Sequence, residues 1–238
     1  MQTLYSKITA SLFSHENKAR ALKDQLYHKY QGYNSLGIAA KDLQRLLKQF
    51  RPEIKTISRD DVFALALQLY KNRNEDLTAA GNFVLGNRLE CVTVARLPFF
   101  DTALDYFCSW STIDDFCITI LQPALRAHPS ETLKLLKGWN KSDNMWKRRA
   151  SVVAFVRKVG ESGLFTNQAL QLCEQLIWDD QDLVRKGVGW CLKDVMRGDK
   201  RTVLSYVRQL RQRRVSSIIT LYALRDIRGA ERAAILQR

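Results

Sequence analysis

Apolar residues along this chain recur at spacings of three and four, and strand-like alternation is nearly absent. Leu43, Leu46, Leu47 and Phe50 fall on one helical face, while Val62, Phe63, Leu65, Leu67 and Leu69 form a denser run suited to a more buried helix. In the second half, "TLKLLKGW", "RRASVVAFVRKV", "NQALQLCEQLIW" and "QDLVRKGVGWCLKDVM" each predict one amphipathic or buried helix. Short breaks at Pro98, Pro129, "NKSDN", "GESG", "WDDQD" and "RGDK" separate them. Helices of roughly 12–18 residues with short connections imply antiparallel pairs, and pairs stacked in series make an α-solenoid. The expected fold class is therefore all-α: HEAT-like antiparallel helix pairs over residues 1–238, in one curved domain with a concave face. That repeat reading rests on rhythm, since identity between the units is weak.

Composition narrows the setting. The 46% hydrophobic fraction is enough for a sizeable core. No apolar run approaches the ~20 residues needed to span a bilayer, and "MQTLYSKITASLFSHENKAR" has no apolar core or cleavage site of secretory type. A soluble, cytoplasmic protein without a membrane partner is expected. The cysteines at 91, 108, 117, 173 and 191 are odd in number, lack a CxxC and sit among apolar neighbours. They read as buried thiols in a reducing compartment. His15, His28 and His128 are scattered, so no metal or other cofactor is expected.

Charge changes the picture more. The formal net charge is +14, and residues 185–238 hold 14 Lys/Arg against 4 Asp/Glu, so +10 of it lies in the last 54 residues. A bias so local points to a polyanionic partner, nucleic acid first.

Four stretches carry candidate chemistry. In "CSWSTIDDFC", Trp110 and Asp114 lie one helical turn apart on one face. Ser111-x-x-Asp114 also fits a capping box, with Trp110 as its staple. Asp115, about 100° further round, is left to capping or to pairing with a cation. In "SDNMWKRRAS", Asp143 or Asn144 can cap a helix whose first turns expose Lys147, Arg148 and Arg149, fit for a phosphate or for a solvated face. In "DLVRKGVGWCLKDV", Gly187 and Gly189 each cost about 1 kcal/mol in a helix. That cost implies a close neighbour beside Trp190, either a second helix or a DNA strand, with Arg185 and Lys186 just before it. The fourth, "RQLRQRRVSS", clusters arginines, Arg213 and Arg214 among them, suited to backbone phosphates or to a solvated face. No nucleophile–base pair or phosphate loop is present, so catalysis by these parts must be electrostatic.

The order Trp110-x-x-x-Asp114, "SDNMWKRRA" with Arg149, then "RKGVGW" with Trp190, resembles the AlkC/AlkD family of HEAT-like DNA glycosylases, closest to the AlkD branch. "LGIAAKDLQRLLKQF", residues 36–50, resembles the family's N-terminal block. The resemblance implies excision of cationic 3-methyladenine and 7-methylguanine from double-stranded DNA held in a concave cleft. It makes Asp114 the catalytic carboxylate, gives Trp110 and Trp190 the lining of the cleft, and sets Arg149 on the DNA backbone. It further implies a monomer that leaves the damaged base stacked, departing from the usual flipping by glycosylases. Two alternatives stand beside it: a non-catalytic HEAT-like binder of bent or branched DNA, and a helical scaffold for an acidic protein partner.

Overall fold

The computed structural model describes residues 2–28 and 32–236. Among them there is no strand, so the all-α expectation holds. Among the described residues, no helix is long and apolar enough to cross a membrane. Contacts gather into two compact units, Met1–Glu131 and Thr132–Arg238.

The first unit contains α1 (Gln2–Phe13), α2 (Lys18–His28), α3 (Ala40–Gln49), α4 (Arg51–Thr56), α5 (Arg59–Tyr70), α6 (Glu75–Gly86), α7 (Leu97–Leu104), α8 (Trp110–Phe116) and α9 (Gln122–Ala127). Four residues join α5 to α6, which pack side by side and hence antiparallel. Asn74 starts α6 by accepting from the N–H groups of Asp76 and Leu77. Gly81 lets α6 lie against α5, because a Cβ there would stand 2.4 Å from the ring of buried Tyr70. The inner face of α8 buries Ile113 and Phe116, the latter edge-on to Phe100 and Phe107 at 5.2 and 5.6 Å. Burial of one such aromatic ring contributes about 1.5–3 kcal/mol.

Between α8 and α9 the helix widens into a π turn over Cys117–Leu121. Pro123 explains it. Proline offers no N–H to the carbonyl four residues back, that of Thr119, and its ring needs that carbonyl moved aside.

The second unit follows α10 (Pro129–Trp139), within which the boundary falls, with α11 (Met145–Val153), α12 (Lys158–Glu161), α13 (Thr166–Leu176), α14 (Asp182–Gly198), α15 (Lys200–Gln212), α16 (Ser217–Ala223) and α17 (Gly229–Leu236). Helix α14 is its centre and touches α11, α12, α13, α15 and α16. Its glycines answer to neighbouring helices. A Cβ on Gly189 would meet Tyr222 Cβ at 2.7 Å and the Ile219 carbonyl at 2.9 Å, both from α16. One on Gly187 would meet Arg149 and Val153 of α11 at 3.4 Å, an ordinary contact.

Three sequence expectations are corrected. Pro98 and Pro129 sit in the first turns of α7 and α10, where a missing N–H costs nothing, and so open helices. The single helix expected over "RRASVVAFVRKV" stops at Val153, and the chain turns before Lys158 because Arg157 takes φ 53°, ψ −134°. Part of "GESG", expected as a break, belongs to α12.

All five cysteines are buried free thiols. Burial pushes Cys108 up to about 11 and raises Cys91. Cys191 is raised well above its ordinary value by its neighbour Cys173 and then by burial.

Candidate nucleic-acid interface

In the first unit, Ser109 sits in extended backbone and its hydroxyl accepts from the Ser111 N–H at 3.1 Å, so α8 begins at Trp110. The capping-box expectation is corrected on this point. The cap lies two residues before Ser111, and Asp114 falls beyond the helix's unpaired N–H groups. Trp110 and Asp114 remain one turn apart on one face. Trp110 is half-buried, and Asp114 is buried at 8% exposure.

Beside Trp110 stand two residues that the sequence pattern did not single out. The His28 ring lies 5.7 Å from the indole, and Tyr33 stacks on His28 at 4.1 Å. Burial pulls His28 below the usual histidine value, against the opposing charge of Asp24. This favours the neutral imidazole. With 82 positions between His28 and Trp110, no local signal could have linked them.

Asp115 has a different setting from Asp114. It borders a recess of about 590 Å³ with Glu75, Asp76, Asn82 and Tyr33, while Trp110 and Asp114 are not among the described residues that line it. The expectation of a cap or a cation partner for Asp115 is corrected, since its carboxylate accepts from the Asn82 amide at 2.8 Å. One side of Asp115 is open to solvent, but the protein packed around the rest of its carboxyl desolvates it. That desolvation first, then the charge of Asp114, pushes the carboxyl up, against the Asn82 bond.

Helix α8 is held to α6 through polar contacts. Glu75 accepts from the hydroxyls of Ser111 and Thr112, the second at 3.3 Å. The Asn82 amide also donates to the Thr112 carbonyl at 3.0 Å, and its own oxygen accepts from the Tyr70 hydroxyl at 3.0 Å. Both Asn82 and Tyr70 are buried.

These contacts carry a pH dependence. Burial raises Glu75, against the hydroxyl bonds it accepts, and raises Asp76, against the Leu36 N–H and Ser35 hydroxyl. A raised carboxyl binds its proton more tightly folded than unfolded. Its stabilising effect is full below the ordinary carboxylate pKa and is lost as pH climbs through the raised value. Glu75→Gln keeps an acceptor for Ser111 and removes the charge. Its melting temperature is expected to gain on wild type as pH climbs above the ordinary carboxylate pKa; parallel thermal melts check it, and a constant difference would exclude Glu75 as a source.

In the second unit, Asn144 caps α11 as expected, accepting from the Trp146 N–H at 2.9 Å. The expected exposure of the three cations that follow is corrected. Lys147 is buried, and Arg149 is 5% exposed with its guanidinium donating to the Leu183 carbonyl. Arg148 is engaged by Asp179, through bonds of 2.6 and 3.3 Å, and by the carbonyls of Ser142 and Asp143. Arg185 donates to the Asp179 carbonyl and to Asp182. Arg213 grips Glu174 through two bonds of 3.0 and 2.7 Å. Lys186 and Arg214 are exposed. Arg214 also borders a basic recess with Arg208 and Arg211. Trp190, on α14, is half-buried, and the guanidinium of Arg157 lies over its ring at 5.9 Å. Arg157 was not singled out in the sequence.

Among the described residues, no group of three or more His, Cys, Asp or Glu is placed to hold a metal ion. Comparison with curated proteins returns no match. A solved structure, the predicted DNA alkylation repair enzyme from Enterococcus faecalis, superposes with a TM-score of 0.75 at 16% identity, covering 91% of this chain and 98% of that one. At that identity it speaks for the fold alone. The family profile described as DNA alkylation repair enzyme matches residues 8–227. Since that match takes in nearly the whole chain, the protein belongs to the DNA alkylation repair enzyme family.

Proposed function

We propose that the protein is a monofunctional DNA glycosylase that removes positively charged N-alkylated purines, 3-methyladenine and 7-methylguanine above all, from duplex DNA. The observation that carries this reading is the Trp110–Asp114 pair on one face of α8, with Ser109 doing the capping. Capping is therefore not the role of the Asp114 carboxylate.

An N-alkylated purine already bears positive charge. When its bond to C1′ breaks, the electron pair goes to the base, which leaves neutral without a general acid. The sugar left behind is oxocarbenium-like. The Asp114 carboxylate stabilises that developing charge and orients the water that adds to C1′, whose proton passes to solvent. The Trp110 indole favours the cationic nucleotide by about 0.5–2 kcal/mol, and Trp190 is assigned a contact to the DNA. No base need be flipped for this chemistry. Exposed Lys186 and Arg214 suit the DNA backbone. Lys147, Arg148, Arg149, Arg185 and Arg213, which bear on packing or protein partners in the second unit, are assigned chiefly to holding that surface in shape.

The test is base release from duplex treated with a methylating agent. Free methylpurine with abasic sites left in the DNA is the expected result. Intact bases together with salt-sensitive duplex binding would instead assign a non-catalytic DNA binder.

A further inference from the structure

Arg157 holds a backbone conformation that its side chain disfavours. At φ 53° and ψ −134° it occupies the first central position of a mirror-image turn, the place where glycine is preferred. For a residue with a Cβ this costs on the order of 1–3 kcal/mol, and such strain persists only where the surroundings enforce it.

The surroundings do enforce it. The Arg157 N–H donates at 2.7 Å to Asp194, a carboxylate 1% exposed on α14. Lys193 at 3.1 Å and Arg197 at 3.5 Å balance the Asp194 charge. Three residues on, a Cβ at Gly160 would stand 2.9 Å from the Asp194 carbonyl carbon, so the turn is pressed against α14. A side chain that only needed solvent would not require this arrangement. Glycine would fit better.

What the arrangement achieves is the position of the guanidinium. Arg157 is exposed, its charge lies over the Trp190 ring, and no carboxylate pairs with it among the described residues. A guanidinium held over an indole face can turn its N–H donors outward, in the fork that matches two oxygens of a phosphate. Three other arginines near α14 are engaged differently: Arg149, Arg185 and Arg197 all donate to carbonyls or carboxylates.

We propose that Arg157 is a DNA phosphate-binding residue, seated on Trp190 by a strained turn that Asp194 anchors, and that it grips the backbone of the strand Trp190 contacts. This rests on the DNA-repair reading of the protein and adds to it a specific contact and the device that builds it. Strain and function are then opposed at one position, which makes the proposal separable from a purely structural role.

The experiment compares wild type, Arg157→Gly and Arg157→Lys, measuring affinity for an undamaged duplex against salt, thermal melting, and base release from methylated duplex. Arg157→Gly is expected to melt at or above wild type while binding DNA roughly tenfold more weakly. The slope of log affinity against log salt should shrink by about 0.9, the loss of one phosphate contact. Arg157→Lys should recover most of the slope and less of the affinity, having a charge without the fork. Wild-type affinity and slope in Arg157→Gly would overturn the proposal while leaving base release, and with it the glycosylase reading, intact. A lower melting temperature with an unchanged slope would also overturn it, reducing Arg157 to a packing role. Wild type that binds no duplex would overturn both.

Discussion

Asp114→Asn is expected to leave duplex binding within about threefold of wild type and to lower base release by roughly 10²–10³-fold, the scale of losing one preorganised electrostatic contact. The magnitude follows from Coulomb's law. A carboxylate ~4 Å from a developing unit positive charge contributes ~4 kcal/mol at an effective dielectric of 20, and each 1.36 kcal/mol is about tenfold in rate. An indole face contributes only about 0.5–2 kcal/mol, so the charge at Asp114 outweighs the wall at Trp110. Asparagine matches the shape and keeps an acceptor for water. What disappears is the charge. Release assayed beside anisotropy on the same methylated duplex separates rate from affinity. Equal release by the variant would remove Asp114 from the mechanism.

Asn82→Leu is expected to lower the stability of the first unit substantially. It strips the buried Tyr70 hydroxyl of its acceptor and leaves the Thr112 carbonyl and Asp115 without their shared donor. An unsatisfied buried group costs ~1–3 kcal/mol, and Asp115, open to solvent on one side, loses less, so a loss of about 3 kcal/mol overall is expected, roughly 6–12 °C in melting temperature at this chain length. Tyr70→Phe removes one of those bonds and should cost about a third as much. Because the same amide fixes α8 to α6, base release from Asn82→Leu should fall at temperatures where the protein is still folded. Circular dichroism melts and release at matched folded fractions test both statements. A melt like that of wild type would mean that Asn82 carries no such load.

The helical class was legible because periodicity is a local signal. So were the Asn144 cap and the long helix α14, both set by residues within a few positions. Three things were not. The α8 cap fell on Ser109, since two serines two apart offer the same chemistry and the chain's approach chooses between them. The cations of "MWKRRAS" were read as solvated, yet their partners lie 31 and 34 positions away at Asp179 and Leu183. The break at Arg157 has no sequence signal at all. The conformation calls for glycine, and the residue that enforces it, Asp194, is 37 positions on. At the candidate site, the Trp110–Asp114 spacing was readable. The His28 and Tyr33 rings and the Asn82 contact, brought in by tertiary packing, were not.

The buried thiols carry a last consequence for a member of an alkylation-repair family. The agents that methylate purines also attack sulfur, and they react with thiolate far faster than with thiol. A cysteine raised to about 11 is ionised roughly once in 10⁴ at neutral pH, and Cys108 is in addition closed off from solvent. The remaining four are equally enclosed. The five thiols are thereby poor targets for the electrophiles whose lesions the family repairs.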